Sequence, residues 1–222
     1  MNEEQERQLL EEGVKFLPWV GSDYEQGFGY AEDGSFHYGG KKVLVLGESH
    51  YDVRARTEQD LVAGTEYHER TRETIGEILD GSGGRWKSTS HKFEHAVVGK
   101  RLNGDERQEF YRHIAFYNYV QALVYGPREK PKWKDFEASL QPFFAVLDAL
   151  RPDCVIAWGM RLCRGMSGTT RSPVEGFAEE KSCAYIYKVG QRAYPCLFIL
   201  HPAYPGFSIA PAHNAILKFM GP

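Results

Sequence analysis

Apolar residues along this chain follow two spacings. Leu10, Val14 and Leu17, with Leu9 and Phe16 beside them, recur at helical intervals and predict a helix over 3–17, stopped by Pro18. Residues 21–40 are rich in glycine and aromatics, and Asp33-Gly34 and Gly39-Gly40 predict turns in irregular chain or a short hairpin. The unbroken run Val43-Leu44-Val45-Leu46 predicts a central strand covered on both faces and ending at Gly47. Helical patterns follow over 66–79, 93–98 and 105–113, with a flexible break at 81–84. β-Branched and aromatic residues predict a strand over 114–119, and a proline- and lysine-rich loop spans 126–134. The clearest stripe is Phe136, Leu140, Phe143, Leu147 and Leu150, a helix over 134–150 that Arg151-Pro152 ends. Strands over 154–157, 184–189 and 196–200 and a helix over 212–220 complete the chain. Strands separated by helices predict an α/β fold: a three-layer α/β/α arrangement with a central, mainly parallel sheet of about four strands. No repeat or linker interrupts 1–222, so one domain is expected, its segment 1–40 packed on a core of 41–222.

Composition sets limits. With 222 residues, 42% of them hydrophobic, the chain is able to build a packed core. A net charge of −3 argues against a histone-like electrostatic binder but leaves room for a local basic groove. Cys154, Cys163, Cys183 and Cys196 contain no CxxC pair, which points to buried reduced thiols rather than a zinc ribbon or an iron–sulfur cluster. The charged N-terminus lacks the apolar segment of a secretory signal, and no apolar run approaches the roughly 20 residues of a membrane span. A cytoplasmic protein with no membrane partner is expected.

Ligands of open parallel sheets bind beyond the carboxyl ends of the strands. Glu48, Ser49, His50, Tyr51 and Asp52 follow the first core strand, Asn118 lies in the second, Trp158-Gly159 ends the third, and His201-Pro202-Ala203 follows the last. Each has a plainer reading: Glu48 as a solvated carboxylate or helix cap, His50 and His201 as ordinary loop residues, Asn118 as a turn-satisfying amide. Glu48, His50 and Asp52, with His68, also form a candidate metal set, although their spacing is not diagnostic. Arg128, Lys130, Lys132 and Lys134, around Trp133, suit phosphate contact with a stacking ring, or simply a solvated loop.

Taken in order, these segments resemble the uracil-DNA glycosylase superfamily. Its first motif reads Gly-Gln-Asp-Pro-Tyr or Gly-Glu-x-Pro-Gly, and Gly47-Glu48-Ser49-His50-Tyr51 stands here. A strand bearing a base-reading Asn matches Ile114 to Val120 with Asn118, a strand ending in Gly matches Val155 to Gly159, and the His-Pro-Ser/Ala motif matches His201-Pro202-Ala203. The match covers about residues 40–220 and departs at Ser49, where one branch carries its catalytic Asp, and at His50, which replaces the usual Pro. The cysteines lack the cluster spacing of another branch.

The resemblance implies a monofunctional, monomeric DNA glycosylase acting on single- or double-stranded DNA without a cofactor or metal. Glu48, or secondarily Asp52, would face the sugar cation, and His201 would donate to the departing base. Asn118, with Ser49, His50 and Tyr51, would hold the base, on which Phe93 or Trp86 would stack. Tyr204 or Phe207, next to Ser208, would fill the stack, and Arg128, Lys130, Lys132 and Lys134 would touch phosphates. Two specificities stay open: uracil, in repair, or a bulky modified cytosine of phage DNA, in defence. A metal-dependent hydrolase and a non-catalytic DNA- or base-binding module are the alternatives.

Overall fold

The computed structural model describes residues 1–51, 67–82, 84, 86–126, 129–166, 171–178 and 181–221. Helix α1 (Glu3–Glu11) opens with a capping box, in which Asn2 accepts from the Gln5 amide and Gln5 accepts from the Asn2 amide. It ends well before the predicted 17. Gly13 takes φ +85° and turns the chain, so Val14, Phe16 and Leu17 enter the core from a loop. The Val14 amide donates to Leu9 O at 3.0 Å, and the next three are satisfied at a distance: Gln121 Oε1 accepts from Lys15 and Phe16 at 2.8 and 2.9 Å, and Leu17 donates to the His68 carbonyl at 2.8 Å.

Strand β1 (Trp19–Val20) is followed by the hairpin β2 (Phe28–Tyr30) and β3 (Phe36–Tyr38), then by β4 (Val43–Tyr51). After α2 (Arg70–Leu79), α3 (Lys87–Val98) and α4 (Gly104–Arg112) comes β5 (Ile114–Val124). The helix predicted over 134–150 is two: α5 (Trp133–Ala138) and α6 (Leu140–Leu150). Pro142, in the first turn of α6, has no N–H for the Ala138 carbonyl, and Ser139 turns aside to donate to Asp135 O at 2.6 Å and accept from Gln121 N at 2.9 Å. The chain continues through β6 (Cys154–Trp158), α7 (Met160–Gly165), β7 (Arg171–Ala178), β8 (Ser182–Val189), β9 (Arg192–Ile199) and α8 (Ile209–Met220).

Among the described residues the main sheet has seven strands, not about four, in the order β1-β5-β4-β6-β9-β8-β7. Its central block β5-β4-β6-β9 is parallel, while β1, β8 and β7 are antiparallel additions. β1 is too short to show a period, and β7 carries Pro173 and Gly176, which is why neither is legible as a strand in the sequence.

Successive residues of β4 enter different cores. Leu44 and Leu46 join Phe143, Val146 and Leu147 of α6, whereas Val43 and Val45 join Ile75 of α2, Phe93 of α3, Phe110 of α4 and Ile216 of α8. β4 therefore lies between β5 and β6, with the helices of the β4–β5 connection and of the β5–β6 connection in different cores, which is the switch-point geometry that opens a crevice at the strand ends. All four cysteines are buried and free. Among the described residues no helix is long and apolar enough to cross a membrane.

Candidate active site

β4 does not stop at Gly47. It pairs with β5 through Gly47↔Asn118, Ser49↔Val120 and Tyr51↔Val124, with a register shift between the last two, so Glu48 to Tyr51 are strand residues held by the sheet. The pairing explains Gly47: a methyl group on it would overlap Asn118 Oδ1 and crowd the Phe116 ring. The site needs hydrogen in that place for Asn118 to lie across the strand.

A cleft of about 1120 Å³ opens at this edge. Glu48, Ser49, His50 and Tyr51 of β4, Phe116 and Asn118 of β5, Trp158 at the end of β6, and His201, Ala203 and Tyr204 after β9 all line it. The opposite wall comes from α2, with Arg70, Glu73 and Glu77, and from the entry to α3, with Trp86, Ser88 and Thr89. Phe116 and Trp158 lie with ring centroids 5.3 Å apart, and the buried Trp158 indole Nε1 has no hydrogen-bond partner among the described residues.

Within the cleft His50 is buried against Phe16, with ring centroids 5.1 Å apart. Its Nε2 lies 2.9 Å from Thr71 Oγ1, and the Asn118 amide nitrogen lies 3.2 and 3.0 Å from its two ring nitrogens. A neutral ring accepts from the Asn118 amide nitrogen, and the Thr71 hydroxyl, which can donate or accept, satisfies Nε2 in either tautomer. Burial, with Arg70 nearby, lowers its pKa to about 3, so the ring is neutral throughout the physiological range. With its amide nitrogen turned to His50, Asn118 is left with Oδ1 as the acceptor beside Gly47.

Glu48 is gripped by Arg161 of α7, a residue the sequence reading missed. Arg161 Nε donates to Oε2 at 2.7 Å and Nη2 donates to Oε1, a two-pronged ion pair across the cleft. The signal for Arg161 was the rule that singled out Trp158-Gly159: it is the third residue beyond a parallel strand. His201 Nδ1 accepts from the Ala203 amide at 3.1 Å, which leaves the ring proton on Nε2. Burial pulls the His201 pKa below its ordinary value; Glu48 opposes that shift and Arg161 adds to it.

Other expected residues lie elsewhere. Phe93 does not line the cleft; it is 1% exposed in the core, against Phe110 and Trp158, because α3 starts at Lys87 and turns that face to the sheet. Trp86, by contrast, stands on the cleft wall. Tyr204 is 56% exposed at the mouth, whereas Phe207 is half-buried against the core that holds Phe93 and Ile216, and Ser208 is the exposed cap residue of α8. Lys130, Lys132 and Lys134 are exposed, and Trp133 leans on Phe136. His68 is not a cleft residue; its Nδ1 lies 2.8 Å from the Lys15 carbonyl. Asp52 and Arg128 lie outside the described residues. Among the described residues no three His, Cys, Asp or Glu side chains are grouped to hold a metal ion.

Neither a scan against protein-family models nor a search of curated proteins finds a match for this chain. The geometry of the cleft therefore carries the functional reading.

Proposed function

We propose that the protein is a DNA glycosylase, a single three-layer α/β/α domain that hydrolyses the N-glycosidic bond of a flipped-out pyrimidine. One observation carries this: a carboxylate (Glu48) of β4, an amide (Asn118) of β5 and a neutral imidazole (His201) after β9, three parallel strands, line one cleft with flat aromatic rings. The reaction develops positive charge on the sugar and negative charge on the departing base, so it needs opposite groups at two fixed points. Glu48 faces the sugar and orients water, and His201 donates from Nε2 to the base oxygen. Asn118 reads the base edge against Phe116 and Trp158. Tyr204, rather than Phe207, is the side chain exposed at the mouth to fill the vacated stack.

Between the two specificities, two features favour a bulky modified cytosine over uracil. The cleft exceeds the roughly 300–1,000 Å³ usual for small-molecule sites. Asn118 offers an acceptor, which suits an exocyclic amine.

The test uses end-labelled oligonucleotides carrying uracil or modified cytosines, including glucosylated hydroxymethylcytosine, incubated in excess EDTA and then treated with alkali. Cleavage at one base in EDTA is the expected result, and Glu48→Gln lowers it at least 100-fold while DNA binding persists. Activity that returns only with added metal supports the hydrolase alternative. Tight binding with no abasic sites on any substrate supports the binding module.

A further inference from the structure

Both oxygens of Glu48 are occupied by one guanidinium. A carboxylate so held presents its charge to Arg161, and the fixed cation beside it opposes a second positive charge on the sugar. The resting ion pair is therefore a closed form of the site. Arg161 is not buried in this grip: its side chain is 38% exposed, against 11% for Glu48, and it lines the cleft. A planar fork that matches a carboxylate matches a phosphate equally well. The other described arginine on the cleft wall, Arg70, sits on α2 and pairs with Glu73 at 3.6 Å. Every nucleotide within a strand brings two phosphodiesters with it, so an exchange of anions leaves Arg161 paired throughout.

Resting on the glycosylase reading, we propose that Arg161 is a substrate-sensing positioning residue: a phosphate flanking the flipped nucleotide takes its guanidinium from Glu48 and so frees the carboxylate for the sugar. No bond is made or broken in this step; one ion pair replaces another. The substrate class follows, because a nucleotide unit within a strand has the phosphate and a free nucleoside does not. Glu48 and the strand then compete for the same cation.

The experiment measures binding alone, by fluorescence anisotropy on a labelled duplex containing a tetrahydrofuran abasic site, which has no base to cleave. Wild type, Glu48→Gln, Arg161→Gln and the double variant are compared, after circular dichroism has checked each fold. Removing the competitor tightens binding: Glu48→Gln gains at least threefold over wild type and steepens the salt dependence by about one phosphate contact. In the Arg161→Gln background the same change gains less than 1.5-fold. Equal tightening in both backgrounds is what simple loss of a repelling carboxylate produces, and it overturns the proposal, as does weaker binding by Glu48→Gln. In a second arm, uncharged methylphosphonates replace the 5′ or the 3′ flanking phosphate. One of the two lowers wild-type affinity severalfold and leaves Arg161→Gln unchanged; equal losses in both proteins at both positions refute the idea. Arg161→Lys, which keeps the charge but not the fork, takes the place of Arg161→Gln if that variant does not fold. Failure of wild type to bind any DNA sinks the glycosylase reading itself, an outcome separate from binding without coupling.

Discussion

His50 converts burial into a pH dependence. Unfolded, its ring takes up a proton near 6.5; folded, it resists until about 3, because the buried site does not solvate the cation. Between those values the unfolded chain holds the extra proton, so the contribution to stability is lost as pH falls below 6.5, at about 1.4 kcal/mol per pH unit. Urea unfolding of wild type should show about 2 kcal/mol of loss between pH 7 and pH 5 that His50→Gln does not show. An unchanged pH profile in the variant would place the ring's protonation elsewhere. Gln121 makes a similar point about polar groups. Its Oε1 satisfies two amides of a buried loop and its Nε2 donates to the Asn118 carbonyl at 2.7 Å, so Gln121→Leu should destabilise the fold by about 2–4 kcal/mol in denaturant melts. Neither role is legible locally: a Gln in a strand gives no sign that a loop more than a hundred residues earlier depends on it.

At the scale of elements, the β4–β5 register decides the site. Gly47 opposite Asn118 lets the amide lie over the strand and meet His50, and the sheet then holds Glu48 in line with Arg161. Gly47→Ala should keep the far-ultraviolet spectrum and cost about 1–3 kcal/mol in stability, yet abolish base excision, because Asn118 must swing away. Normal excision by a folded Gly47→Ala protein would detach Asn118 from the chemistry. The apolar runs of β4, β5 and β6 announce themselves in the sequence because both faces are covered. The strand character of Glu48 to Tyr51 does not, since polar side chains there face the cleft and only pairing with β5 keeps them extended. Phe93 misleads for the converse reason: an aromatic side chain fits a core or a stacking wall equally well, and only the packing of α3 chooses.

For the molecule as a whole, a net charge of −3 means that any contact with DNA is local. Glu73, Glu77 and Glu129 on the cleft wall repel a strand, while the exposed Lys130, Lys132 and Lys134 flank the start of α5. Lys130→Gln and Lys134→Gln should each weaken binding by the same factor for all sequences and lower the salt slope by about one, as read from titrations at several salt concentrations. A slope unchanged in both variants would route the strand away from α5.

The sequence by itself determined the α/β class and the apolar runs that become β4, β5, β6, β8 and β9, but not that β8 runs antiparallel, because unbroken apolar runs and helical stripes are local consequences of burial while strand direction is not. It left open what the tertiary structure decided. Strand β1 depends on its pairing with β5, distant in the chain, whereas the end of α1 at Gly13 and the break before Pro142 have local causes that the helical stripes masked. The amide orientation of Asn118, which His50 selects, also depends on a distant partner, and so does the grip of Arg161 on Glu48, two residues 113 positions apart. Local patterning reports which residues are buried; which polar atoms meet is settled only when strand order brings the ends of β4, β5, β6 and β9 together.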